Sequence, residues 1–440
     1  MLRGFRVAPG GRMSGRVRVP GDKSISHRSI MLGALAQGVT RVSGFLQGAD
    51  AISTMNVFRA LGVSIEGPDD GRVVVHGVGL HGLRAPTAPL DCGNAGTAMR
   101  LLMGLLAGQR FGCTLIGDES LSRRPMKRVA EPLGRMGAQI ETTQGTPPIR
   151  IRPAPALTAI DYPMPVASAQ VKSSVLLAAM YAQGTTSVTE PAPTRDHTER
   201  MLGGFGVHIE RSGATVRLAG GQPLRAATIE VPADISSAAF FLVAASIAPG
   251  SDLLLEHVGV NPTRTGILEI LRLMGADFSV HNPRTVGGEP VADLQVRSAP
   301  LHGIEVPAAL VPLAIDEFPV LFIAAACAAG RTVVTGAEEL RVKESDRIAV
   351  MASGLRALGV SATATPDGMI VEGAGGTRPV FGGGSVDSHG DHRIAMAFAV
   401  AALRARAAIE IRDTLNVATS FPGFIELASG AGLAIAAVEL

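Results

Sequence analysis

One phrase recurs along this chain and limits what it can fold into. An amphipathic stretch ends on a glycine, takes one Ala or Val, and runs straight into a short alternating segment. The copies are FRALGVSIE (Gly62), LGRMGAQIE (Gly137), MLGGFGVHIE (Gly206), LRLMGADFSV (Gly275) and LRALGVSATA (Gly359), with a degraded sixth, IELASGAGLAI, near Gly430. Successive glycines lie 69–84 residues apart. A glycine just past a helix end takes the left-handed backbone that other residues avoid, so each copy reads as helix, cap, strand.

A second phrase keeps the same rhythm. SHRSIMLGALAQG, GTAMRLLMGLLAG, SAQVKSSVLLAAMYAQG, DISSAAFFLVAASIAPG, DEFPVLFIAAACAAG and DHRIAMAFAVAALRA are helices of small apolar residues, apolar nearly all round. That marks buried helices packed closely through Ala and Gly. Each leads into a strand-like run such as TSVTE or RTVVTG. Six units of buried helix, strand, amphipathic helix, Gly turn and strand fill the 440 residues. Single cores stop growing near ~250–300 residues, so two domains of three units are expected rather than one large barrel.

The polar residues that open the buried helices are not random. They are Asp22, Lys23, Ser24, Ser26, His27 and Arg28; Asn94, Gly96, Thr97 and Arg100; Ser168, Gln170 and Lys172; Asp234, Ser236 and Ser237; Asp316 and Glu317; Asp391, His392 and Arg393. Capping accounts for the Ser, Asn and Asp residues. It does not account for Lys23, Arg28, Lys172 or Arg393, because a cation is unfavourable beside a helix N-terminus. A helix N-terminus with added Lys or Arg is an anion site. Equivalent helix ends facing one way would converge on a cleft between the domains that takes more than one phosphate or carboxylate. Two loops add cations: GDESLSRRPMKR, with Arg123, Arg124, Lys127 and Arg128, and ELRVKESDR, with Arg341, Lys343, Glu344, Asp346 and Arg347.

Composition excludes other classes. With 40 basic and 38 acidic side chains the net charge is +2, too even for a protein that coats nucleic acid. Three cysteines, Cys92, Cys113 and Cys327, without CxxC spacing give neither a disulfide framework nor a zinc site. The longest apolar runs, Ala238–Ala245 and Val320–Ala329, are too short to span a bilayer, and the N-terminus has no apolar signal core. A cytoplasmic protein is expected. Gly77, Gly79 and Gly82 spell GxGxxG, but Pro86 and Pro89 follow, so no helix opens there and the dinucleotide reading fails. His389, Asp391 and His392 have no standard metal-ligand spacing.

PGDKSISHRS, GNAGTAMR, RRPM, SAQVKS, RVKESDR, DHRIAM and SFPGF, in this order over essentially the whole chain, resemble the 5-enolpyruvylshikimate-3-phosphate (EPSP) synthases. SAQVKS, RDHTER and the Asp316–Glu317 pair resemble their second bacterial branch. The resemblance implies an α/β fold of two domains, each of three βαβαββ repeats, an inverse α/β barrel with the buried helices' N-termini facing an interdomain cleft. The domains would be 21–232, and 1–20 with 233–440. It implies a reaction of phosphoenolpyruvate with shikimate-3-phosphate that needs no cofactor or metal, carried out by a monomer that binds neither nucleic acid nor membrane. Lys23, Gly96, Arg124, Gln170, Arg347 and Arg393 would hold phosphoenolpyruvate. Lys23, Ser24, Arg28, Ser168, Ala169, Gln170, Arg195, Asp316 and Lys343 would hold shikimate-3-phosphate. Asp316 would be the base, Glu344 the group that handles the methylene proton, and Lys23 a catalytic cation. Because these residues fall on both domains, the free protein would be open and would close on the anions.

Two positions depart from the better-known branch, Thr419 in place of a Lys and Glu339 in place of an Asn, and Leu101 stands where glyphosate-sensitive members carry Pro. No role is carried onto Thr419 or Glu339. The alternatives are the sister enolpyruvyl transferase acting on UDP-N-acetylglucosamine, which uses a loop cysteine as an acid, and a non-catalytic anion-binding relative. Cys113 precedes the Ile-Gly of its strand instead of following in a loop, and Lys23-Ser24 replaces the sister family's Lys-Asn.

Overall fold

The structure, a computed structural model, describes residues 3–439. It divides into two compact units. The first takes the chain up to Pro20, Pro232–Thr285 and the chain from Pro290 onward; the second takes Gly21–Val231 with the hairpin tip Val286–Glu289.

Buried and amphipathic helices alternate through the second unit as α1 (Lys23–Leu35), α2 (Ala49–Ala60), α3 (Gly96–Ala107), α4 (Lys127–Arg135), α5 (Ala169–Ala179) and α6 (His197–Gly204). The first unit continues with α7 (Ile235–Ile247), α8 (Gly266–Leu273), α9 (Phe318–Cys327), α10 (Arg347–Ala357), α11 (His392–Ala401), the short α12 (Val417–Ser420) and α13 (Phe424–Ala431). All residues of α7 and α9 are buried, as apolarity all round requires. Close approach through small residues is literal where α3 meets α5. A Cβ placed on Gly104 would lie 2.0 Å from the backbone oxygen of Ser174. Gly104→Ala would therefore have to push the two helices apart, at the ~1–3 kcal/mol typical of overpacking.

The amphipathic helices end as the sequence requires. Gly62, Gly137, Gly206, Gly275 and Gly359 all have φ between +83° and +93°, where any side chain would strain the backbone. The sixth copy differs from the expectation. Gly430 lies inside α13, and the left-handed cap is Gly432, with φ of +118°.

The repeat is visible in the strand pairing. Asp161–Pro163 runs parallel to Thr185–Thr189 across α5, and Thr185–Thr189 pairs antiparallel with Thr215–Ala219 of the following hairpin. In the first repeat the leading parallel strand comes from the far end of the same unit: Thr228–Glu230 pairs with Arg41–Ser43. The first unit does likewise, with Ser14–Val17 parallel to Asp252–Leu255. Each unit is thus a closed set of three repeats around its own apolar core. The GxGxxG glycines lie at the end of a strand (Arg72–Val78) and in the turn after it, with no helix following. No helix among the described residues is long and apolar enough to cross a membrane.

Candidate functional site

In the second unit the starts of α1, α3 and α5 carry the candidate residues. Asp22 caps α1, accepting from the Ile25 N–H at 2.9 Å. One residue on, Lys23 Nζ lies 2.8 Å from Asp50 Oδ2 at the start of α2. Arg28, one turn further, is almost fully buried. Burial lowers its pKa to about 10, against the charges of Glu199 and Asp22, so it stays cationic at neutral pH. Gly96 and Ala169 are the first residues of α3 and α5, where a helix leaves N–H groups without an internal acceptor; that of Gly96 donates to the Asn94 backbone oxygen at 2.9 Å. Ser168 caps α5 through the Val171 N–H. Gln170 ties the two helices together: its Oε1 accepts from Arg100 Nη1 at 2.6 Å and its Nε2 donates to Thr97 Oγ1 at 2.9 Å. Arg124 donates through Nη2 to Asn94 Oδ1 at 2.7 Å, beside Gly96. Arg195 is half-buried in the loop before α6, close enough for its charge to act on Arg28.

One expectation fails here. Lys172 does not serve an anion site at the helix start. It is fully buried and paired with Glu190 at 3.0 Å and Glu199 at 2.6 Å, so its charge is neutralised within the protein.

In the first unit the starts of α7, α9, α10 and α11 come together. Asp316 Oδ1 lies 3.4 Å from Lys343 Nζ and 3.4 Å from Arg347 Nη1. Glu344 accepts from Arg347 Nη2 at 2.5 Å. Arg347 is buried, which alone would lower its pKa; Asp391, Glu344 and Asp316 more than reverse this, and it is raised. Arg393 donates through Nη1 to the backbone oxygen of Asp316 at 3.0 Å, and the same nitrogen is 3.8 Å from Glu317. Glu317 in turn accepts a short hydrogen bond from Ser236 at the start of α7. A carboxylate with two cations on one oxygen, beside a second carboxylate on a buried arginine, can move protons next to bound anions.

The charged ELRVKESDR segment divides in two. Arg341 makes local contacts, to Asp346 at 2.6 Å and to the Pro366 backbone oxygen at 2.7 Å, while Lys343, Glu344 and Arg347 join the site. Glu339 pairs with Lys343 at 3.0 Å, and Thr419 donates to the backbone oxygen of Asn416 at 2.6 Å. Sequence reasoning missed Asp50 as the partner of Lys23, and Asp391 as the partner of Arg347 beyond its cap. An acid in the first turn of a helix reads as ordinary capping, so neither carried a separate signal. No cluster of His, Cys, Asp and Glu that could hold a metal is found among the described residues.

Comparison with known proteins bears on this arrangement. Residues 7–427 match the family described as EPSP synthase (3-phosphoshikimate 1-carboxyvinyltransferase). A 3-phosphoshikimate 1-carboxyvinyltransferase of Alkalilimnicola ehrlichii is 68% identical over 98% of this chain and 96% of its own. That of Methylococcus capsulatus is 65% identical over 98% of both chains. The solved EPSP synthase of Acinetobacter baumannii superposes with a TM-score of 0.90 at 56% identity, covering 99% of this chain and 100% of that one. The enolpyruvyl transferase NikO of Streptomyces tendae, at 18% identity and a TM-score of 0.78, shares the fold.

Proposed function

This chain belongs to the EPSP synthase family, and we propose that it transfers the enolpyruvyl group of phosphoenolpyruvate to the 5-hydroxyl of shikimate-3-phosphate, releasing phosphate. The observation that carries the reading is the placement of Asp316 between Lys343 and Arg347, with Glu344 on the same arginine.

The chemistry assigns the rest. Asp316 takes the proton of the 5-hydroxyl as its oxygen bonds to carbon-2 of phosphoenolpyruvate. Glu344 gives a proton to the methylene, which becomes a methyl group. In the second half Glu344 takes a proton back from that methyl as the carbon–oxygen bond to phosphate breaks, and the proton held by Asp316 passes to the departing phosphate, which leaves as hydrogen phosphate. Developing negative charge on the departing phosphate favours fixed cations nearby. Arg347 and Arg393 of the first unit, and Lys23 and Arg124 of the second, are assigned to phosphoenolpyruvate, with Gly96 and Gln170. Ser24, Arg28, Ser168, Ala169, Gln170, Arg195 and Lys343 are assigned to shikimate-3-phosphate, with Lys23 and Asp316. With close to two negative charges on each phosphate, the charge of two phosphates and two carboxylates exceeds that of the cations assigned in either unit, which supports assigning both sets to one reaction.

The sister reaction on UDP-N-acetylglucosamine is disfavoured by Cys113. It stands in a strand (Cys113–Ile116), and burial pushes its thiol up to about 11, unsuited to a reactive loop acid. SAQVKS, RDHTER and Asp316–Glu317 support membership of the second bacterial branch, and the cytoplasmic, monomeric state is assigned on the resemblance alone. Proton NMR of the protein mixed with both substrates tests the function. A pair of enolpyruvyl methylene signals on the 5-oxygen of the shikimate ring is expected; their absence would refute it.

A further inference from the structure

The guanidinium of Arg28 is held on three sides by the protein itself. Nε donates to Thr198 Oγ1 at 2.7 Å, Nη2 to Ser173 Oγ at 2.9 Å, and Nη1 to the backbone oxygen of Ser24 at 3.0 Å. The Thr198 hydroxyl donates onward to Ser173 Oγ at 2.8 Å, which fixes its direction and keeps its lone pairs for Arg28. A guanidinium has five N–H groups. With three engaged, the two others sit one on each terminal nitrogen, the pair that grips two oxygens of one carboxylate or phosphate. The hydroxyls therefore decide which edge of Arg28 is left for an anion.

The two hydroxyls come from different helices, Ser173 from α5 and Thr198 from α6. What aligns them is next to each in sequence. Lys172 precedes Ser173, Glu199 follows Thr198, and their charges meet at 2.6 Å in a fully buried setting. Glu190 adds a second carboxylate at 3.0 Å and is itself bonded by the Thr194 hydroxyl. A buried ion pair is a poor source of stability, since desolvation consumes most of the attraction. It is a good source of register, because a shift of either helix would strand a charge.

We infer that Thr198 and Ser173 are positioning residues that turn Arg28 toward an anionic group of shikimate-3-phosphate, with the Lys172–Glu199 pair holding the two hydroxyls in register. This rests on the function proposed above. The alternative is that the hydroxyls only fill buried space between α5 and α6.

Steady-state kinetics of Thr198→Val and Thr198→Ser, each made also in an Arg28→Lys background, separates the two. Thr198→Val keeps the shape and removes the hydroxyl. It should raise the KM for shikimate-3-phosphate by ~10-fold or more, the worth of a hydrogen bond to a charged group. The KM for phosphoenolpyruvate should change less than about twofold, and Thr198→Ser should restore the first value. In the Arg28→Lys background Thr198→Val should add little, since its target is gone. Ser173→Ala should show the same split and serves if Thr198→Val fails to fold. An unchanged KM for shikimate-3-phosphate, an equal rise in both KM values, or an equal effect in the Arg28→Lys background would each overturn the positioning role. If the unmodified protein releases no phosphate from the two substrates, the proposed function itself has failed, and that control distinguishes the two failures.

Discussion

Asp391 grips Arg347 with both carboxylate oxygens, Oδ2 to Nε at 2.8 Å and Oδ1 to Nη2 at 3.3 Å, in a pair that is almost wholly out of solvent. The same Asp391 caps α11 by accepting from the Arg393 N–H at 2.9 Å. One carboxylate therefore orients two of the cations assigned to phosphoenolpyruvate, one through its side chain and one through its backbone.

Replacing Asp391 separates these tasks. Asp391→Asn keeps a capping side chain but leaves the buried Arg347 charge poorly matched. It should cost about 3–5 kcal/mol of stability, as breaking a buried pair does, and raise the KM for phosphoenolpyruvate. Asp391→Ala should lose about 1 kcal/mol more, the worth of the cap. Urea unfolding and steady-state kinetics read the two effects; a variant as stable as the unmodified protein would show that Arg347 finds another partner.

Asp316→Asn removes the proposed base and retains the shape. The turnover number should fall ~10²–10⁴-fold, the usual contribution of a general base. Affinity for shikimate-3-phosphate should change far less, because Lys343 and Arg347 then face a neutral amide instead of a competing carboxylate. Calorimetric binding beside single-turnover rates checks this. If affinity collapses while the bound complex still turns over, Asp316 is a binding residue.

Gly96 leaves space beside Arg124, at the end of the site proposed for phosphoenolpyruvate. A Cβ there would sit 2.9 Å from Arg124 Nη1, and Arg124 is already tied to Asn94 and Ser120 through Nη2. Glyphosate occupies the phosphoenolpyruvate site in the resembled family and is the longer molecule, so the unmodified protein should be inhibited competitively with phosphoenolpyruvate. Gly96→Ala should raise the inhibition constant by ~10–100-fold, the range that overpacking spans. The KM for phosphoenolpyruvate should rise by less. If the unmodified protein is already as insensitive as the variant, Leu101 or the RDHTER segment sets the response instead.

His27 makes stability depend on pH. It is fully buried on α1, with Nδ1 2.7 Å from Thr54 Oγ1 of α2. Burial, then Lys23 and Arg28, lower its pKa from 6.5 to about 3, with Asp22 opposing. The unfolded chain takes up this proton near pH 6.5 and the folded chain does not until about 3. The stabilisation is therefore complete above pH 6.5 and is lost as pH falls toward 3. Urea unfolding between pH 6.5 and 4 should show a slope up to about 1.4 kcal/mol per pH unit steeper than in His27→Asn. Equal slopes would mean that His27 protonates in the folded state.

Much of this was legible in the sequence for a local reason. Gly62, Gly137, Gly206, Gly275 and Gly359 mark their helix ends because left-handed backbone is a property of one residue and its neighbours. The same holds for Asp22, Ser168 and Asp391, whose capping bonds reach two or three residues. Lys172 reads as an anion ligand in the sequence because its partners, Glu190 and Glu199, come from beyond its own helix. A cation at a helix start looks the same whether an anionic substrate or a buried glutamate meets it. In the last copy the cap is Gly432 and not Gly430, an ambiguity that arises because that copy holds two glycines and Ser429, not a hydrophobic residue, stands immediately before the first. The strand that completes each unit, Thr228–Glu230 or Ser14–Val17, was placed only by tertiary pairing.

Transfer by addition and elimination requires a transient methyl group, formed when Glu344 protonates the methylene of phosphoenolpyruvate. The most direct test is to run the reaction in heavy water, following phosphate release and deuterium at the enolpyruvyl methylene together. Phosphate should appear only when phosphoenolpyruvate and shikimate-3-phosphate are both present, and the methylene of the product should carry deuterium, because the methyl group gains one solvent-derived hydrogen before losing any of its three. Phosphate release from phosphoenolpyruvate alone, no release with both substrates, or a product whose methylene holds no deuterium would contradict it.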